Sequence, residues 1–177
     1  MTDLDTRCLD TFPEWLKSLA DDATELASVL ESDSSPAVKR HVASSLNYLF
    51  KSLDLIPDGI EDLGFMDDAF VLRVASKMAA SKAEGEHPTL DRLAAGVPLI
   101  QELLDKEYPR LVAYVEGLLH GAARGRTTDE IVDDADVRAQ FIGEIRAWAA
   151  SYEAPSFARD PKNLVKLTSF LSAKLPA

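Results

Sequence analysis

Apolar residues recur at helical spacing along almost the whole chain. Spacings of three, four and seven residues predict that one face of a first helix is buried, and they connect Trp15, Leu16, Leu19, Leu26, Val29 and Leu30. Thr11 and Glu14 have the spacing of a capping box, and Pro13 stands in the first turn. We therefore predict a first helix over about 12–31.

A second and a third helix are predicted before and after an acidic segment. Ser35 before Pro36 predicts an N-cap followed by proline at the first helical position. The second helix should run over about 36–52, with an apolar stripe formed by Val38, Val42, Leu46, Leu49 and Leu53. Asp67 is positioned to cap the third helix, which should end near Gly85.

The second half of the chain continues the helical pattern. Pro98 should kink or split the apolar stretch 90–107, because proline lacks the amide donor and clashes with the preceding turn. Further helices are predicted over 109–120 and 137–152, after Thr127 or Thr128, and after the Asp160–Pro161 pair. Patterns of period two are absent from the sequence, so no strand is predicted. We expect an all-α fold, a single compact domain of six to eight helices.

The domain organisation leaves one alternative open. The 177 residues fit one unit over 1–177, with a weak boundary near 83–88. Residues 36–84 then hold the acidic segment and its flanking helices. Residues 88–177 form a helical half of unknown role, which could also be an extension of the domain.

Composition and charge exclude several classes of partner. The net charge of −11 opposes binding to nucleic acid or to an anionic membrane surface. Arg124 and Arg126 flank a glycine, and we expect them in a solvated loop. A transmembrane or signal segment is not predicted, and the single cysteine, Cys8, cannot form an internal disulfide. We expect a soluble, cytoplasmic protein.

Common catalytic signatures are missing from the sequence. Neither the phosphate-binding and dinucleotide-binding glycine motifs nor the serine-hydrolase and zinc-protease motifs occur. The histidines His41, His87 and His120 are scattered. We assign no catalytic residue.

The segment 54–68 is the one place where composition departs from that of an ordinary helical domain. Its six carboxylates alternate with apolar residues, and no Lys or Arg intervenes. Asp58, Asp67 and Asp68 could cap helices, with Gly64 ending the short turn between them at positive φ. Alternatively, Asp54, Asp58, Asp67 and Asp68 could converge on a divalent cation, although their spacing differs from that of an EF-hand. A third interpretation is an acidic rim that faces a partner.

The residues around this segment resemble the core motif of the YkvA-like bacterial family, a short helical domain of unknown function. The resemblance covers roughly residues 38–76 and rests on Tyr48-Leu49, Asp54-Leu55-Ile56-Pro57-Asp58, Ile60, Leu63-Gly64 and Asp67-Asp68. This chain departs from the pattern at Ser52 and Glu61, where relatives commonly have proline, and at Asp62, where they are usually apolar. The resemblance implies no catalytic residues, and it implies that any site lies at the motif.

Three functional hypotheses follow. The first is a non-enzymatic interaction or adaptor protein that binds another protein. Its candidate surface comprises Asp54, Pro57, Asp58, Glu61, Gly64, Phe65, Asp67 and Asp68. Phe65 and Met66 would either anchor the partner or fill the core beneath the turn. The second is a divalent-metal hydrolase that uses Asp54, Asp58, Asp67 and Asp68. The third is homo-oligomerisation through the C-terminal helices.

Overall fold

Helices make up most of the computed structural model, which describes residues 1–51 and 54–177. The α-helices of these residues are α1 Asp3–Glu31, α2 Pro36–Tyr48, α3 Met66–Lys82, α4 Pro88–Ala94, α5 Val97–Leu104, α6 Tyr108–Gly117, α7 Thr128–Asp133, α8 Ala135–Ser151 and α9 Pro161–Lys174. Short 3₁₀ turns at Asp105–Glu107 and Leu118–His120 precede and follow α6. The predicted all-α fold class is confirmed.

The first helix begins much earlier than its sequence pattern indicated. Thr2 caps α1 and forms a reciprocal capping box with Asp5, whereas Thr11 and Pro13 lie inside the helix. The predicted start at residue 12 is therefore wrong. The upstream residues Cys8 and Leu9 are buried, and they extend the apolar face of α1 by two turns.

Other helix ends agree with their local signals. The hydroxyl of Ser35 accepts a hydrogen bond from the Val38 amide and Pro36 opens α2, as predicted. The second helix ends at Tyr48 instead of residue 52, and the predicted positions of Ser52 and Leu53 lie outside the described residues. Thr127 and Asp160 cap α7 and α9.

In the second half, Pro98 separates α4 from α5, as predicted. A short antiparallel pair that the sequence pattern did not predict joins β1 Ala122–Ala123 to β2 Arg126–Thr127. Its turn holds Arg124 and Gly125 at positive φ.

The arginines of this turn are not simply solvated. The Arg126 side chain is only 11% exposed and pairs with Glu144, which also binds Arg124. The guanidinium of Arg124 lies 4.3 Å from the ring centroid of Phe50. The arginines therefore fasten the turn to α8 and to the end of α2.

One apolar core runs from the N-terminal to the C-terminal helices. It includes Cys8 of α1, Phe70 of α3, Phe141 of α8 and Leu171 of α9 among its buried members. Helix α3 is buried on nearly all sides from Met66 to Ser76, because other helices surround it. The segment that joins α2 to α3 is thus held on a buried frame.

Candidate functional site

The segment between α2 and α3 is a series of tight turns. The Ile60 amide donates to the Pro57 carbonyl at 3.1 Å, and the Gly64 amide donates to the Ile60 carbonyl at 2.9 Å. The positive φ angles in this segment belong to Asp62, at 64°, and Phe65, at 67°. Gly64, which we expected at positive φ, has a different requirement. A Cβ atom on Gly64 would lie 2.2 Å from the carbonyl oxygen of Asp58.

Tyr48, at the end of α2, ties this segment to α3. Its hydroxyl accepts a hydrogen bond from the Leu55 amide at 2.8 Å and donates one to Oδ2 of Asp67 at 2.5 Å. The Ile56 amide also donates to Oδ2 of Asp67, at 3.3 Å. The buried Asp67 carboxylate therefore fixes the start of the acidic segment in two ways, through the Tyr48 side chain and through the Ile56 backbone amide.

Asp67 and Asp68 are buried in the first turn of α3, with 0% and 1% exposure. The N-cap position belongs to Phe65, and no side chain caps this helix start. The predicted capping role of Asp67 is therefore wrong. Oδ2 of Asp67 instead accepts hydrogen bonds from the Tyr48 hydroxyl, at the end of α2, and from the Ile56 amide. The sequence pattern around Asp67 does not predict these contacts.

The four predicted carboxylates come together around this helix start. The charge of Asp67 acts on both Asp54 and Asp68, and the charge of Asp58 acts on Asp54, Asp67 and Asp68. Within the described residues, three buried carboxylate oxygens lack a hydrogen-bond partner, namely Oδ1 of Asp54, Oδ1 of Asp67 and Oδ2 of Asp68. We call Asp54, Asp58, Asp67 and Asp68 the carboxylate cluster.

Burial and mutual repulsion favour the protonated forms of these acids. The pKa of Asp54 rises to about 7, mainly because of burial and then because of the charges of Asp67 and Asp58, against the charge of Lys51. Burial also raises the pKa values of Asp67 and Asp68, and partial loss of hydration raises that of Asp58, although its side chain reaches solvent. The hydrogen bond from Tyr48 acts against this rise at Asp67. Part of the cluster therefore carries protons near neutral pH.

The C-terminal half supplies one wall of the site. The ring of Phe65 packs edge to face on Tyr152, with centroids 5.3 Å apart, and lies 6.3 Å from Trp148. Burial raises the pKa of Tyr152, and the charges of Asp68 and Asp58 raise it further. Oδ1 of Asp62 accepts hydrogen bonds from the Ser156 hydroxyl and the Ala158 amide. The acidic segment is thus covered on one side by the chain that follows α8.

The predicted surface residues divide into three groups. Pro57, Asp58 and Glu61 are exposed, and with Gly59 they form what we call the tip of the acidic segment. Asp54 and Phe65 are half-buried, whereas Gly64, Asp67 and Asp68 are buried, as is Met66.

Potential metal ligands do not form a metal-binding cluster in the described part of the chain. In the ranges 1–51 and 54–177, no group of three or more His, Cys, Asp and Glu side chains is placed to hold a metal ion. The acids of the cluster are near enough to interact electrostatically, but their oxygens do not form a ready coordination shell.

Several residues of the site were not singled out by the sequence as functional. Tyr114 packs edge to face against Tyr48, with ring centroids 6.2 Å apart, and its hydroxyl accepts from Lys51 at 3.2 Å. Tyr152 reaches the cluster from α8. Tyrosines in helices carry no local signal of such a role. Only the tertiary arrangement of α2, α6 and α8 brings them to the acids.

Comparison with known families gives one match, over residues 38–73, to the family described as "Protein of unknown function (DUF1232)". No curated protein and no solved structure matches the chain. Among the described helices, none combines the length and the apolar character needed to cross a membrane. The match supports an uncharacterised domain around α2, the acidic segment and the start of α3, and the YkvA-like name is not confirmed.

Proposed function

We propose that the chain is a non-enzymatic protein-interaction module, that the tip of the acidic segment is its contact surface, and that the partner supplies a Lys or Arg side chain. The observation that supports this proposal is the carboxylate cluster, with its buried oxygens that lack partners in the described residues. Clustered groups with perturbed pKa values are typical of functional sites.

A basic side chain suits this cluster for electrostatic reasons. Like charges in a partly dry environment repel one another, and a cation lowers that repulsion. An ammonium or guanidinium group also donates charge-assisted hydrogen bonds to carboxylate oxygens. Asp58 is exposed and Asp54 is half-buried, so an incoming side chain meets these two acids before the deeper pair.

The surroundings of the tip suit a protein partner. Ile60 and Phe65 are half-buried beside it and offer apolar contact next to the acids. Tyr48, Asp67 and the close approach at Gly64 hold the backbone in place. A preordered segment loses less conformational entropy when it binds.

A second copy of the chain would be an alternative protein partner, and light scattering distinguishes it. We also propose a cytoplasmic location.

The test measures binding of a short peptide of alternating Lys and Ser, acetylated and amidated, by calorimetry at about 0.15 M salt, where long-range surface charge is largely screened. We expect the double variant Asp58→Asn/Glu61→Gln to bind at least about tenfold more weakly than the wild type. The matched control Asp33→Asn/Glu84→Gln removes the same charge from exposed positions elsewhere. It should change the affinity less than about twofold.

Equal weakening in both double variants would show that the peptide senses only the overall charge of −11. That result, or failure of the wild type to bind the peptide at all, would contradict the proposed surface.

A second candidate function, a divalent-metal hydrolase, is favoured by the chemistry of the unpaired oxygens. Carboxylate oxygens are the ligands that Mg²⁺ and Ca²⁺ prefer, and a bound ion would activate water. Because the described side chains do not form a coordination shell, binding would require them to rearrange. Thermal unfolding in chelator, and then with Mg²⁺, Ca²⁺, Mn²⁺ or Zn²⁺, distinguishes this candidate. A saturable rise in Tm that Asp58→Asn abolishes supports a cation site, and the absence of any shift rejects it.

A further inference from the structure

A cavity of about 480 Å³ lies beside Tyr114, outside the carboxylate cluster. Its walls come from α6, from the 3₁₀ turn that follows α6, from the end of α2 and from the residues after α9. The apolar part of the lining comprises Pro109, Ala113, Leu118 and Pro176. This volume is within the range typical of small-molecule sites.

The wall after α9 is held in place by Arg110. Its guanidinium donates to the backbone carbonyls of Ser172, at 3.1 Å, and of Leu175, and Nε donates to the carbonyl of Pro176 at 3.0 Å. The same group pairs with Glu107. Since these contacts occupy most of its donors, Arg110 shapes the cavity and has little hydrogen-bonding capacity left for a ligand.

Among the lining residues that the structure describes, Lys51 is the cation with donors available to a ligand. Its ammonium donates to the Tyr114 hydroxyl at 3.2 Å and lies 5.2 Å from the centroid of that ring. An ammonium group has three donors, so further hydrogen bonds can form. The cavity therefore presents a positive group and a tyrosine together with an apolar lining.

We propose that this cavity binds an amphipathic monocarboxylate, with the carboxylate on Lys51 and Tyr114 and the short apolar tail between Pro109, Ala113 and Leu118. Charge complementarity with Lys51 selects the head group, and the apolar lining selects the tail. The proposal is independent of the protein-interaction function, because the tip does not line the cavity.

The carboxylate cluster lies behind this cavity. Tyr48 stands between Tyr114 and Asp67, and burial, followed by the charges of Asp67, Asp54 and Asp68, raises the pKa of Tyr114. These acids oppose an anionic ligand when they are ionised. Burial raises their pKa values and so weakens this opposition at lower pH. We therefore expect a carboxylate to bind more tightly at pH 6 than at pH 8.

The experiment is calorimetric titration of the full chain with octanoate, and with octanol and octylammonium as neutral and cationic probes of equal tail length. Octanoate should bind with one-to-one stoichiometry and at least about tenfold more tightly than either other probe. Lys51→Ala should lose about tenfold in octanoate affinity, and Lys51→Arg should retain most of it. Lys166→Ala removes an exposed lysine of α9 and serves as the control.

A second variant tests the location. Ala113 is exposed on α6 and lines the cavity, so Ala113→Trp should fill the space, abolish octanoate binding and leave the fold intact by circular dichroism. The proposal is overturned if octanoate shows no saturable binding. It is equally overturned if octanol binds as well as octanoate, if octylammonium does so at a site that Ala113→Trp abolishes, or if Ala113→Trp binds octanoate like the wild type.

Discussion

Tyr48 is the residue on which the acidic segment depends most directly. Its hydroxyl is buried, and it satisfies the Leu55 amide as an acceptor and Asp67 as a donor. Leu55 and Asp67 are also buried, so neither can form a replacement hydrogen bond with water if the hydroxyl is removed. A buried polar group left without a partner costs about 1–3 kcal/mol, more than a typical hydrogen bond contributes.

Tyr48→Phe should therefore lower the free energy of unfolding by about 2–3 kcal/mol, because it leaves the Leu55 amide without its acceptor and Asp67 without one donor. Urea denaturation followed by circular dichroism measures this change. Tyr114→Phe is the matched control, since the Tyr114 hydroxyl contacts the half-buried Lys51. It should cost less than about 1 kcal/mol. Equal losses in the free energy of unfolding for the two substitutions would contradict this role of the Tyr48 hydroxyl.

At the scale of the elements, most local signals were predictable, apart from the Thr2–Asp5 capping box of α1, whereas long-range ones were not. Ser35, Thr127 and Asp160 cap their helices through residues two or three positions away, so the sequence alone predicts them. Asp67 stands at a similar position before a helical pattern, yet its Oδ2 accepts a hydrogen bond from Tyr48, 19 residues earlier. Apolar periodicity predicted the all-α fold for the same local reason, but it gave no sign that the acids meet tyrosines of other helices.

Gly64 illustrates the same difference within the acidic segment. The sequence suggested a positive φ, whereas the actual requirement is the contact with the Asp58 carbonyl. Gly64→Ala should lower the free energy of unfolding by about 2–3 kcal/mol, because the new methyl group forces the backbone of two turns apart. Gly59→Ala is the control. A Cβ atom there meets nothing within 4 Å, so the change should stay within about 0.5 kcal/mol. Similar melting curves for both variants would contradict the close approach.

At the scale of the whole molecule, the net charge of −11 and the carboxylate cluster act in the same direction. General self-repulsion grows as acids ionise. The cluster adds a specific term, since burial raises the pKa of Asp54 from 3.8 to about 7. Between these two values the folded chain holds a proton that the unfolded chain has released. Its stability therefore falls as pH rises through this window.

The resulting prediction concerns pH 6.5 to 8. Burial lowers the pKa of His41, which makes stability rise with pH until about one unit above the unfolded value of 6.5, and the variants compared below share this contribution. Over the same range, Asp54 alone should lower the free energy of unfolding of the wild type by roughly 0.5 kcal/mol, after allowance for its partial exposure. Urea titrations at each pH measure the fall.

The variant Asp54→Asn separates the specific contribution from the general one. It removes the titrating group, so its free energy of unfolding relative to that of the wild type should increase between pH 6.5 and 8. Asp33→Asn removes one exposed charge far along the sequence from the cluster, and it should retain the wild-type slope. If all three proteins had the same slope, the fall would come from overall charge alone. If the wild type gained more stability toward pH 8 than Asp54→Asn, the cluster could not hold its extra proton near neutrality, because stability that rises with pH means that the unfolded chain binds more protons than the folded chain.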